Sequence, residues 1–326
     1  MKKEKGTKKA YSLSRTFLMA FIMLMVSANV FAADPPGIPD GWSDGFVYNN
    51  GIRIHYYHAV PAPGKPVIVM VHGVTDNGLC WTDVSLKLQD SYDIYMLDAR
   101  GHGLSDPFTP SDNGETLVKD VVGFVELMKF EKPIIMGHSM GAATVMRVGA
   151  EYPDLAKAVI MLDPGLPRKN TGERPGRPSG PPPPPRAAAA DPLAFSMMGD
   201  PETLAKQNNY SFDALVEKGH RDNPKWSDAD VKYWALSKKQ YHGPYSDAAW
   251  QAMHGTMNTE GALAKIPVKS LILKADASPE QRKANEESVA DLKRVKLVHV
   301  DGAAHNLHHD ELKRTITEIN TFLSDM

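Results

Sequence analysis

The sequence predicts an α/β fold: a mostly parallel central sheet flanked by helices, with a helical cap inserted late in the sheet. Three observations carry that expectation. Six short apolar runs are continuous rather than alternating, which is the pattern of strands covered on both faces. Segments with apolar residues at helical spacing lie between them. From about Gly165 to Ala264 this order stops, and a Pro-rich stretch leads into several short amphipathic segments.

In chain order, the first segment is basic, "MKKEKGTKKAYSLSR", and is followed by the unbroken apolar run Phe17 to Val26 and the small-residue stretch "SANVFA". The apolar run is short for a bilayer span, so residues 1–32 are expected to be a signal peptide cleaved after Ala32. The protein is then secreted or periplasmic and not membrane-bound after cleavage. No Cys adjoins the cleavage point, so a lipid anchor is not expected. Cleavage removes six basic residues and one acidic one, taking the formal net charge from −2 to −7. Such a surface does not favour nucleic acid, which rewards clustered positive charge.

Next, "FVYNNGIRIHYYHAV" alternates around Asn50-Gly51, the signature of a β-hairpin with a tight turn. The strands expected after it are "PVIVMV", "DIYML", "PIIM", "AVIML", "VKSLILK" and "VKLVHV". Helices are expected in "ETLVKDVVGFVELMKF" and in the closing "ELKRTITEINTFL". Residues 33–164 and 265–326 thus form the core, and residues 165–264 form the insertion. The insertion opens with a Pro-, Gly- and Arg-rich stretch whose five consecutive prolines are read as a stiff surface spacer. Its helices are expected in "PLAFSMMG", "PETLAKQN", "DADVKYWALSKKQY" and "DAAWQAMH". The chain has 326 residues, 42% hydrophobic and 23% charged, which suffices for one large core plus such a cap. Its single cysteine, Cys80, cannot form an internal disulfide and is expected to pack as a small apolar group.

The candidate chemistry centres on "GHSMG", where Ser139 stands between Gly137 and Gly141, after a strand and before a helix. A nucleophilic serine must stand free on a sharp turn whose neighbours need almost no side chain, and the two glycines provide that space. The helix start aims backbone N–H groups at the reaction centre, and Met140 is the expected first oxyanion donor. The second is expected from Val74, which follows His72-Gly73 directly after an earlier strand. His72 is read as a structural residue fixing that loop. The expected base is His305, in the small-residue loop "DGAAHN" between the last strand and the final helix. His308 and His309 lack a ligand framework and are read as solvated, so no metal and no cofactor is expected. Trp81 and Trp234, with Tyr233 and Trp250, are candidates for the pocket lining.

The motifs "HGVTDNGLCW", "LDARGHGLSD", "GHSMGA", "LDPG" and "GAAHN" resemble the α/β-hydrolase fold superfamily, from about Phe46 to the C-terminus apart from the insertion. Within it the chain is similar to the branch of small esterases and amidases that includes N-formylmaleamate deformylase. The resemblance makes "ARGHGLSD" a structural turn. Haloalkane dehalogenases and epoxide hydrolases of the superfamily carry an aspartate at the elbow, so Ser139 argues against both. The resemblance implies two places for the triad acid. Asp276 follows the late strand that usually carries it, yet the usual spacing falls on Ser278. Asp163 follows the strand after the nucleophile helix, an alternative position that the deformylase-like branch shares as an Asp-Pro. Asp163 is taken as the acid, with Asp276 as the alternative. The expected function is a serine hydrolase of small carboxylic esters or lactones acting through an acyl-enzyme. Small-amide hydrolysis is the main rival, and a ligand-binding receptor on the same fold is a third reading.

Overall fold

The computed structural model describes residues 35–166, 193, 201–244 and 246–326. The signal segment, the Pro-rich spacer and the helix expected in "PLAFSMMG" lie outside the described residues.

The sheet has eight strands in the order β1-β2-β4-β3-β5-β6-β7-β8. Strands β1 (Ser43–Asn49) and β2 (Ile52–His58) form the expected hairpin, and Asn50 and Gly51 both take positive φ, 49° and 84°, as a tight turn requires. The hairpin joins the sheet through antiparallel pairing of β2 with β4 (Asp93–Leu97). All other neighbours pair in parallel: β3 (Val67–Val71), β5 (Ile134–His138), β6 (Ala158–Leu162), β7 (Ser270–Lys274) and β8 (Val295–His299).

Continuous apolar strands make two cores because successive side chains point to opposite faces. Ile68, Met70, Ile134, Met136, Ile160 and Leu271 face one layer, packed with α1 (Thr82–Leu88) and the closing helix α11 (Leu312–Ser324). Val69, Val71, Ile135, Val159, Met161 and Ile272 face the other, against α2 (Thr116–Leu127) and α3 (Met140–Glu151). Met140 through Gly149 of α3 are all buried, so this helix sits wholly inside that layer.

The insertion supplies α4 (Pro201–Asn208), α5 (Phe212–Asp222), α6 (Asp228–Gln240), α7 (Asp247–Thr256) and the single turn α8 (Ala262–Lys265). Ser211, Ser227 and Ser246 each cap a helix by accepting an N–H three residues on. Helices α1, α5 and α9 (Pro279–Val289) are not among those expected from the sequence. Along α9 only Asn285 and Val289 are buried, so it offers no apolar stripe to detect.

Candidate active site

Ser139 links β5 to α3 with φ 51° and ψ −112°, a left-handed conformation that costs a non-glycine residue about 1–3 kcal/mol. The surroundings enforce it. A Cβ at Gly137 would lie 2.2 Å from the Gly141 carbonyl oxygen, and one at Gly141 would lie 2.1 Å from that of Val71. The Ser139 N–H donates to the Leu162 carbonyl at 3.0 Å, tying the turn to β6. The hydroxyl is thereby presented at the carboxyl end of the sheet, where the loops of an open α/β fold gather.

His305 reaches the same place from the loop after β8. Its Nδ1 lies 2.6 Å from Asp163 Oδ2. Burial pushes the Asp163 carboxyl up, but the His305 hydrogen bond and the Lys274 ammonium outweigh it and hold the group well below the usual carboxylate range. An ionised carboxylate can only accept, so Nδ1–H of His305 is the donor. Asp163 itself takes a positive φ of 46° directly after β6. Its second oxygen, Oδ1, pairs with Lys274 Nζ and accepts the Ala275 N–H at 3.2 Å.

Asp276 goes elsewhere. It pairs with Arg282 at 2.5 Å, accepts the Gly302 N–H at 2.8 Å, and so braces the loop rather than the His305 ring. The Arg282 hydrogen bond, followed by the N–H of Gly302, pulls its carboxyl down to about 2.

A cavity of about 420 Å³ opens onto Ser139 and His305. Its walls include Val74, Trp234, Trp250, Met253 and Met257, with Asp76 and Lys238 at one side. Met140 is the first residue of α3 and lacks an intrahelical acceptor. Neither its N–H nor that of Val74 donates to a protein acceptor among the described residues. His72 is fully buried. Its Nδ1–H donates to the Gly73 carbonyl at 2.7 Å while Nε2 accepts the Ala99 N–H at 3.0 Å, bracing the loop that carries Val74.

Several expectations are corrected. Trp81 does not line the cavity: it ends a 3-10 turn inside the core, fully buried and stacked on His308 at 4.9 Å. Tyr233 also points into the core and donates to the Gly37 carbonyl. His308 and His309 are buried rather than solvated, because Leu307 anchors the short helix α10 (Leu307–Asp310) in the core and carries both rings inward. His309 Nδ1 lies 3.0 Å from Asp230 Oδ1 on α6, and that carboxylate outweighs burial to raise the ring's basicity. Among the described residues no cluster of His, Cys, Asp and Glu is arranged to hold a metal. Cys80 is buried, as a small apolar group would be.

Asp76, Lys238 and Lys274 are three residues at the site with no signal in the sequence. Lys238, on α6, donates to Asp76 Oδ1 at 2.9 Å and to both oxygens of Thr75. Its partners are more than 160 residues away in the chain, beyond any local pattern. The third is Lys274, which reads as the tail of a strand.

A family model described as "Alpha/beta hydrolase family" matches residues 68–317. The 2-(acetamidomethylene)succinate hydrolase of Mesorhizobium japonicum is 31% identical over 98 residues, 30% of this chain and 35% of that enzyme. The alignment therefore spans about a third of that relative's length. Epoxide hydrolase 1 of Caenorhabditis elegans is 22% identical over 300 residues, 89% of this chain and 72% of that protein. Among solved structures, the N-formylmaleamic acid deformylase of Pseudomonas putida S16 superposes with a TM-score of 0.62 at 21% identity, covering 85% of this chain and 100% of that one. At that identity the likeness is one of fold.

Proposed function

The chain belongs to the alpha/beta hydrolase family, and from that premise we propose that it is a serine hydrolase of small carboxylic esters or lactones. The observation that carries the reading is the 2.6 Å contact of His305 with Asp163, with His305 opening onto the same cavity as Ser139. Ser139 Oγ attacks the substrate carbonyl as His305 Nε2 takes its proton. The oxygen that becomes negative is received by the N–H groups of Val74 and Met140, each worth about 10²–10³ in rate. Asp163 holds the imidazole in the working tautomer and stabilises the imidazolium. His305 then returns the proton to the leaving group, and water cleaves the acyl-enzyme by the same route in reverse.

The two tryptophans and two methionines of the cavity favour an apolar acyl group, and about 420 Å³ is within the range of small-molecule sites. Amide hydrolysis is the second reading, favoured by the deformylase and the acetamido-compound hydrolase among the similar proteins. An epoxide hydrolase is also similar to this chain. Epoxide opening fits less well, because the elbow residue is serine, which suits acyl transfer. We also propose export with cleavage after Ala32, on the basic, apolar and small-residue order of residues 1–32. Mass spectrometry of protein recovered outside the cytoplasm is expected to find Ala33 at the N-terminus; an intact Met1 there would contradict cleavage.

The test is a panel of p-nitrophenyl esters of rising chain length, with lactones, amides and an epoxide, on wild type and Ser139→Ala. Multiple turnovers on esters, lost in a folded alanine variant, are expected, and a fluorophosphonate should label Ser139 alone. Undiminished activity in the variant would overturn the reading. A single slow cycle per Ser139 would point to a receptor, and turnover confined to amides would select the second reading.

A further inference from the structure

We propose that Lys274 is a positioning residue of the Asp163–His305 pair: it holds one carboxylate oxygen so that the other faces the imidazole, and its charge offsets that of the carboxylate. The catalytic consequence rests on the serine-hydrolase reading; the direct test does not.

The placement follows from the sheet. Lys274 is the last residue of β7, and Asp163 comes directly after β6, its parallel neighbour, where Leu162 pairs with Leu273. The Asp163 N–H donates to the Leu273 carbonyl at 2.7 Å, which fixes the aspartate backbone against the end of β7. From there Lys274 Nζ pairs with Asp163 Oδ1 and donates to the Pro164 carbonyl at 2.8 Å. With Ala275 N–H, Oδ1 then has two protein donors, and Oδ2 is left to His305. The carboxylate cannot rotate about its C–C bond without giving up both Oδ1 contacts. The Lys274 and Asp163 side chains are only 16% and 12% exposed, so solvent screens the pair weakly.

The electrostatic effect has a definite sign. An adjacent carboxylate favours the imidazolium, whereas a fixed ammonium beside that carboxylate opposes it. The other groups facing His305 do not supply the same effect. His138, from β5, donates its Nε2–H to the His305 carbonyl, with ring centroids 4.8 Å apart. His308 approaches from α10. Burial pushes both rings below the ordinary histidine range, so both are neutral near pH 7. Across the cavity, Asp76 and Lys238 balance each other. Among the described residues, Lys274 is the cation in contact with the acid. Without it, the charge of Asp163 would act on the imidazole without a neighbouring cation to offset it.

The experiment is an NMR titration of the His305 ring in the full chain, for wild type, Lys274→Met, Lys274→Gln and Lys274→Arg, alongside the pH profile of kcat/KM. For an ammonium one residue removed from the imidazole, the neutral variants should raise the ring's midpoint by about 0.5–1 pH unit. They should move the acid limb of kcat/KM upward equally, while Lys274→Arg leaves both in place. An unmoved midpoint in a folded Met or Gln variant would overturn the proposal, as would an Arg variant that shifts as far as Met. Asp163→Asn must move the midpoint the opposite way. Should the Met variant not fold, the Gln variant, neutral but still polar at its end, decides. The ring titration needs no turnover, so a protein that hydrolyses nothing would sink the function and still test Lys274.

Discussion

Asp76 and Lys238 meet at 2.9 Å across the seam between the loop after β3 and helix α6 of the insertion. Both are nearly enclosed, and Lys238 also grips Thr75, whose φ is 67°. The loop that offers the Val74 N–H is therefore held in shape from the cap side. Lys238→Met strands a buried carboxylate and should cost roughly 3–5 kcal/mol. Adding Asp76→Asn should recover much of that stability but not kcat, because Thr75 stays unheld. Urea unfolding and ester kinetics on the single and double variants check this; full recovery of kcat in the double variant would contradict it.

Asp163 and Asp276 should separate sharply on amidation. Asp163→Asn offers His305 an amide in place of a carboxylate and favours the wrong tautomer, so kcat is expected to fall by about 10⁴. Asp276→Asn loosens the Arg282 and Gly302 contacts of a surface loop and should cost far less. Steady-state rates of both folded variants decide, and the reverse ranking would transfer the role to Asp276.

Acid should weaken the fold through His138. Burial lowers this ring to about 4, against 6.5 for an ordinary histidine. Above pH 6.5 the ring is neutral in both states and its contribution is whole. Between 6.5 and about 4 only the unfolded chain takes the proton, so stability falls with falling pH, by up to about 3 kcal/mol. His55 and His309, raised by their aspartates, act in the opposite sense. His138→Gln cannot titrate and isolates the one ring. Urea unfolding from pH 7 to 4 should show wild type losing stability relative to this variant, and parallel curves would contradict the account.

Chain-length preference should respond to Trp250. This indole lines the cavity from α7, packed beside Met140 and Met253. Trp250→Ala is expected to move the best p-nitrophenyl ester to a longer acyl chain. Each added methylene gains about 1–3 kcal/mol of discrimination until the space is filled. An unchanged optimum would mean that the acyl group lies elsewhere.

The sheet was legible because its strands announce themselves: "DIYML" and "AVIML" are bounded in the structure where the apolar runs begin and end. The sharp turn at Ser139 was legible because its close backbone approaches require glycine two residues to either side, a constraint that acts within five residues. The Asp163 carboxylate needed the resemblance as well, since an Asp-Pro after a strand is common turn chemistry. Trp81, His308 and His309 were misplaced for a different reason. Whether an aromatic or a histidine in a loop faces a cavity, solvent or the core depends on the element beneath it, and α10 gave no periodic signal over four residues. Lys238 could not be found at all, because its meaning lies in a contact across the insertion.

The chain leaves the sheet at Leu162 and returns at Ser270 in the adjoining strand, with Met161 paired to Ile272. The insertion is thus a detour whose two ends are stitched together, and the Asp163–Lys274 pair closes its base. The entropy of closing such a detour grows only logarithmically, about 0.6 kcal/mol for each doubling of its length. One contiguous segment can therefore be lengthened, shortened or exchanged over evolutionary time at little thermodynamic cost. Ser139, His305, Asp163 and the two N–H donors all lie outside it. On the proposed reading the reacting groups stay with the sheet while the insertion shapes the cavity through Trp234 and Trp250, and Lys238 is a contact that any replacement insertion has to reproduce.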